Sequence, residues 1–142
     1  MAATYGFEFR YRLCWKPPTI RDLLFKDTEV LTKGDIGNLE TGEVDLAATG
    51  GDTGLLGAIC ETVSGTDSTT RVKVIVDADA VYGVTDATAR LVGAALDITG
   101  TTGAQTVAAK GDDDLVVVTE STTAEETLVM IHPIKHYAYN AT

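Results

Sequence analysis

Arg71-Val72-Lys73-Val74-Ile75-Val76-Asp77-Ala78-Asp79 is the stretch that decides the fold class. Val72, Val74 and Val76 alternate with Lys73, Ile75 and Asp77, and β-branched side chains lose rotamer freedom in a helix while packing well on a pleated surface. Successive strand side chains point to opposite faces, so this period of two reads as a strand with one apolar face. Working outward, similar short Val/Ile/Thr-rich runs recur from about Glu29 onward. Strands are predicted near 28–32, 42–47, 55–63, 70–76, 80–84, 95–98, 104–109, 114–120 and 126–132. Leu115-Val116-Val117-Val118 and Leu128-Val129-Met130-Ile131 read as buried on both faces.

Turn chemistry separates the runs. Lys33-Gly34-Asp35, Gly50-Gly51-Asp52, Ser64-Gly65-Thr66, Gly100-Thr101-Thr102-Gly103 and Lys110-Gly111-Asp112 combine glycine with side chains that bond locally to the backbone. One short helix is predicted over Asp86–Val92, capped by Asp86 and ended by Gly93. Thr19-Ile20-Arg21-Asp22-Leu23-Leu24-Phe25 reads as a single helical turn or a bridge into the main body. The sum is an all-β domain, a small β-barrel or β-sandwich of β-tulip-like form, with at most one short helix.

The N-terminal stretch differs from the rest. In Tyr5-Gly6-Phe7-Glu8-Phe9-Arg10-Tyr11-Arg12-Leu13-Cys14-Trp15, every odd position is aromatic or Leu, and Pro17-Pro18 then stops the strand. Six of the nine aromatic residues lie in the first 25 positions. Residues 1–33 carry a net charge of +2 and the remaining 109 residues −12, so the two parts face different surroundings. This divides the chain into an extended arm, 1–27, and a body, 28–142. An aromatic strand with an open edge seeks a partner strand, by β-augmentation of another chain or of a second copy. Tyr5, Phe7, Phe9, Tyr11, Trp15 and Phe25 would be its anchors, with Arg10, Arg12 and Arg21 as its charged contacts. The other reading makes residues 5–15 an ordinary strand whose aromatic face fills the domain's own core.

Composition excludes several functions. A net charge of −10 over 142 residues argues against a nucleic-acid partner, since phosphate affinity rests on Lys and Arg. No apolar run approaches the roughly 20 residues of a membrane-spanning helix, and the start of the chain lacks the pattern of a secretory signal. Cys14 and Cys60 are too far apart for a metal knuckle or redox pair.

No nucleophile elbow, phosphate-binding loop or zinc-binding helix motif is present, so no catalysis and no cofactor are expected. His132 and His136 would share a face only on a helix, which Pro133 opposes. The stretch from Pro133 to Tyr139 reads as a tail on the surface or on a partner. Asp112-Asp113-Asp114 and the pair Asp77 and Asp79 read as solvated turns, since neither has the spacing of a calcium loop.

The order of segments resembles a family. Glu29–Asp35, Leu55–Cys60, Arg71–Asp79, Asp86–Ile98, Asp114–Thr119 and Thr127–Ile131 look like consecutive segments of tailed-bacteriophage capsid decoration, or cement, proteins, over about residues 28–132. The resemblance implies a non-enzymatic virion protein, made in the host bacterial cytoplasm, on the outer surface of the expanded capsid. It implies the major capsid protein as partner, self-association as a homotrimer in preference to a dimer, and stabilisation of contacts between capsomers. The alternatives are another phage structural component, a head fibre or tail-associated protein, and a small carbohydrate-binding β-module.

Overall fold

The computed structural model describes residues 6–26, 30–47, 53–64, 70–86, 88–109, 113–119 and 126–138. Their strands are β1 (Glu8–Arg12), β2 (Ile20–Leu24), β3 (Val30–Leu31), β4 (Ile36–Glu40), β5 (Glu43–Leu46), β6 (Leu55–Ala58), β7 (Val63–Ser64), β8 (Arg71–Ile75), β9 (Ala80–Thr85), β10 (Ala95–Thr99), β11 (Thr106–Ala109), β12 (Leu115–Thr119) and β13 (Glu126–Ile131). One 3-10 turn, Pro133–Lys135, follows. The fold is all-β, as the alternation at residues 71–79 predicts. The expected turns at Gly50-Gly51-Asp52 and Lys110-Gly111-Asp112, and most of Ser64-Gly65-Thr66, lie outside the described residues.

The largest sheet runs β1-β9-β13-β12-β10-β11. Its alternate residues Ala80, Tyr82, Val84, Leu96, Ile98, Val107, Leu115, Val117, Val129 and Ile131 point inward and share one core with Phe7, Ile36, Leu55 and Ile75. Burying each Val, Leu or Ile stabilises by roughly 1.5–3 kcal/mol before entropy is counted. The sheet curls until its two ends nearly meet: Gly6 N–H donates to Gln105 O at 2.9 Å, and Thr106 Oγ1 to Thr85 O at 3.3 Å. These are single contacts, and no closed barrel forms.

The remaining strands make three small sheets, β5-β4-β6, β2-β8 and β3-β7. Isolated bridges, Ile59↔Val74 and Phe25↔Val44, join β6 to β8 and β2 to β5. They surround a second core of Phe25, Leu31, Val44, Leu56, Ile59, Val72, Val74 and Val76. Strand β6 and its neighbour Ile59 stand between the two cores: Leu55 and Ala58 enter the first, Leu56 and Ile59 the second. Two-sided burial therefore occurs at 55–59, and also at 80–84 of β9. In 115–118 and 128–131 one side is buried while Val116, Val118, Leu128 and Met130 are only half-buried.

Several expectations are corrected. The 55–63 run is two strands, split at Cys60-Glu61-Thr62. Residues 88–92 form no helix. Asp86 instead turns its carboxylate inward, where it accepts from Arg90 Nε at 2.8 Å, Thr88 N at 3.2 Å and Thr127 Oγ1 at 3.2 Å. The four-residue spacing of Asp86 and Arg90 is a helical spacing, and here it closes a loop. Strand β4 carries Gly37 and Asn38, residues depleted in strands. A Cβ at Gly37 would stand 3.0 Å from Val44 Cγ1 and 3.2 Å from Ile59 Cδ1, so close packing explains the glycine. Strand β2 occupies the segment read as a helical turn or bridge.

The expected boundary at 27/28 lies outside the described residues. Strand β1 is antiparallel to β9, with Phe9 opposite Tyr82 and Arg12 opposite Ala80, and β2 is antiparallel to β8 along its whole length. Both described strands of residues 1–27 thus pair with strands of the body, and Phe7 and Phe25 each enter one of the two cores.

Candidate docking surface at the β1–β2 connection

The nine residues expected to grip a partner separate into three groups. Tyr5 lies outside the described residues. Phe7 and Phe25 are buried, one in each core, and Phe9 packs edge to face on Tyr82 with ring centroids 6.3 Å apart. These three serve the fold.

The arginines of β1 are held within the chain. The β1–β9 register slips between Phe9 and Tyr11, leaving Arg10 as the extra residue of a bulge. Arg10 reaches Glu126 of β13 across Gly83 of β9, with Nε 2.8 Å from the carboxylate, and also pairs with Glu8 at 3.0 Å. A side chain at Gly83 would meet the ends of Glu126 and, at 2.9 Å, Arg10 Nε, so the pair crosses the strand over a glycine and would have to shift for any larger residue. The hydrogen bond to Glu126 raises the Arg10 pKa further above its ordinary value, against a smaller opposing effect of burial.

Arg12 forms a clasp. Its Nε donates to Asp79 Oδ1 at 2.8 Å, Nη1 lies 3.5 Å from Asp77 Oδ1, and Nη1 donates to Pro17 O at 3.4 Å. Thr19 N–H donates to Asp77 Oδ2 at 2.6 Å and Cys14 N–H to Asp79 Oδ2 at 3.3 Å. Burial opposes ionisation of Asp79, but the hydrogen bond from Arg12, with those from Cys14, outweighs it and holds that carboxyl below its ordinary range. Asp77 and Asp79 are therefore no solvated turn: they pin the di-proline connection to the body.

What the clasp holds outward is apolar. The bulge turns Tyr11 opposite Val81, and Tyr11 stacks on Trp15 with centroids 4.7 Å apart and planes at 14°. Trp15 has φ +60°, a left-handed backbone uncommon for a bulky residue, and it is 77% exposed. Leu13 and Ile20 nearby are each 49% exposed. Lys16 and Arg21 are exposed and form no ion pair among the described residues. Sequence reasoning missed Leu13 and Ile20; their signal was an apolar residue on each side of a proline pair.

Elsewhere polar groups build the fold. Gln105, fully buried, accepts from Ile36 N–H at 2.6 Å and donates from Nε2 to Ala47 O at 2.9 Å. Asp35 accepts from Thr32 N, Thr102 Oγ1 and Gly103 N at 2.8–2.9 Å. Asp114 is buried, accepting from Ile98 N at 3.1 Å with Lys135 Nζ 3.8 Å away. The part of the Asp112–Asp114 run that is described is thus no solvated turn.

The expected tail also folds in. His132 caps the 3-10 turn through Ile134 N–H, and His136 is buried. The Nε2–H of His136 donates to Val76 O at 3.0 Å, while Nδ1 accepts from Ala138 N–H at 3.2 Å. That pair of contacts requires the neutral ring, and burial lowers its pKa accordingly. No group of three or more His, Cys, Asp or Glu residues suited to a metal ion occurs among the described residues. No helix among them is long and apolar enough to cross a membrane.

Among solved structures, the chain is similar to the N base of the head fibre protein gp8.5 of bacteriophage phi29, at 17% identity, covering 80% of this chain and 95% of that one, with a TM-score of 0.49. No protein-family model and no curated protein matches the chain.

Proposed function

We propose that this chain is a structural docking module, one that acts by holding onto a larger assembly and catalyses nothing. More particularly, it is a capsid decoration protein of a tailed phage, bound to the outer surface of the expanded head and bracing major capsid protein subunits against one another. The single observation that carries the docking reading is Trp15. It is 77% exposed, stacked on Tyr11 and left-handed in its backbone, three residues after the arginine of a clasp with two aspartates. A tryptophan costs solubility when exposed, and large aromatics dominate interface energetics. The order of segments over 28–132 directs the reading to the capsid.

In this reading the contacts of the arm reduce to Trp15, Tyr11, Leu13, Ile20 and Arg21, and the acidic remainder faces solvent. A protein that binds only the expanded lattice stabilises that state by mass action, and a shell of many copies multiplies modest contacts. Self-association as a trimer belongs to the same proposal.

Co-sedimentation of the purified chain with expanded empty heads of its own phage tests this, with the solution mass of the free chain measured in parallel. Saturable binding at a fixed ratio to coat protein is the expected result, weakened about tenfold or more by Trp15→Ala. Binding to tails in preference to heads, or aromatic-dependent binding to glycans with none to heads, would overturn it.

A further inference from the structure

The edge of β2 offers a second kind of contact beside the aromatic platform. Thr19 O accepts from Val76 N–H at 3.1 Å, and Phe25 N–H donates to Thr70 O at 3.0 Å. With the register Arg21↔Val74 and Leu23↔Val72 between them, the odd-numbered residues direct their backbone groups toward β8. Ile20 and Asp22 therefore direct theirs away from it. On that side β5 begins only at Glu43 and meets β2 at Phe25↔Val44 and through Lys26 N–H to Val44 O at 3.0 Å. Upstream of that bridge no described strand lies alongside. Ile20, Arg21 and Asp22 are the exposed part of the strand.

Resting on the proposed capsid role, we infer that the Ile20–Asp22 edge is the receiving edge of a β-augmentation, and that its occupant is an extended acidic segment of a coat-protein subunit. The N–H and C=O of Ile20 and the N–H of Asp22 supply the main-chain contacts, Asp22 O being shared with Arg71 Nη1. Charge selects the occupant: Arg21 on the edge forms no ion pair among the described residues, Arg71 Nη1 reaches Asp22 O at 3.5 Å, and the one carboxylate there, Asp22, is already paired with Lys73 at 3.2 Å. An acidic strand is attracted there, whereas this chain's own body, at −12 beyond residue 33, is a poor place for one. Trp15, Leu13 and Ile20 then cover one end of the added strand.

The test uses two substitutions and amide exchange. Asp22→Pro removes an outward-facing N–H and leaves the β8 ladder intact, since proline is tolerated where a strand's N–H faces solvent. Asp22→Ala keeps the N–H and removes only the side chain. Expanded heads should bind the proline variant about tenfold more weakly and the alanine variant like the parent. In the parent bound to heads, the amides of Ile20 and Asp22 should become protected from exchange, and Arg21→Glu should weaken binding most at low salt.

Should heads bind the parent while those two amides keep exchanging freely, the augmentation is refuted and the capsid role stands. Full binding by a folded Asp22→Pro chain refutes it equally. Absence of any binding to heads overturns both readings.

Discussion

Gln105 links the two halves of the molecule through contacts that sequence inspection passes over. Its side chain accepts from Ile36 N–H on β4 and donates to Ala47 O after β5, while its backbone oxygen accepts from Gly6 N–H. Replacing it with leucine, close in volume, leaves the Ile36 N–H and the Ala47 C=O buried without those partners. An orphaned buried group costs about 1–3 kcal/mol. Two of them, less the gain from burying a more apolar side chain, give a net loss of about 2–4 kcal/mol. For a chain of this size that lowers the thermal midpoint by about 6–12 °C.

Gln105→Glu sharpens the test through its pH dependence. An ionised carboxylate still accepts from Ile36 N–H but meets the Ala47 oxygen with like polarity. The protonated acid donates to it. Burial raises the pKa of this acid above its unfolded value of about 4.3, so folding takes up a proton and stability is lost as pH rises. Urea unfolding of the parent and both variants, at neutral pH and near pH 4, reads this out. The expected order at neutral pH is parent above both variants, with the glutamate variant closing part of its gap at low pH. A leucine variant within about 0.5 kcal/mol of the parent would refute the reasoning.

Three further outcomes are expected. Gly83→Val should displace the Arg10–Glu126 pair and destabilise the chain by about 1–3 kcal/mol by overpacking, whereas Glu126→Gln should cost under about 1 kcal/mol because that ion pair is solvent-exposed; paired chemical denaturation curves distinguish them. His136 has a folded pKa below its ordinary 6.5, so the unfolded chain binds the extra proton, and stability is full above pH 6.5 and declines as pH falls toward the folded value; His136→Ala should remove that slope, measured by thermal midpoint against pH. Trp15→Ala should change the thermal midpoint little, since the indole is mostly exposed; a loss of more than about 2 kcal/mol would show Trp15 to be a structural residue.

The amino-acid sequence by itself determined that the chain is all-β. Period-two alternation, as in Val72, Val74 and Val76 against Lys73, Ile75 and Asp77, is a local property, since strand geometry alone sends neighbours to opposite faces. Turn residues mark strand ends for a similarly local reason, as at Gly34-Asp35 and Gly100–Gly103. Tertiary structure decided everything that depends on which strands become neighbours. Strand β4 was hidden because its Gly37 and Asn38 make sense only against Val44, Ile59 and Gly54. Asp86–Arg90 imitated a helix by spacing, and Thr127 on a distant strand turned it into a loop anchor. The N-terminal aromatics show the division most sharply. Their alternation announced an apolar face, but only the pairing of β1 with β9 and the bulge at Arg10 decided that Phe7 and Phe9 face the core while Tyr11 and Trp15 face outward. One inserted residue inverts every side chain beyond it, and no local pattern encodes which strand will accept the insertion.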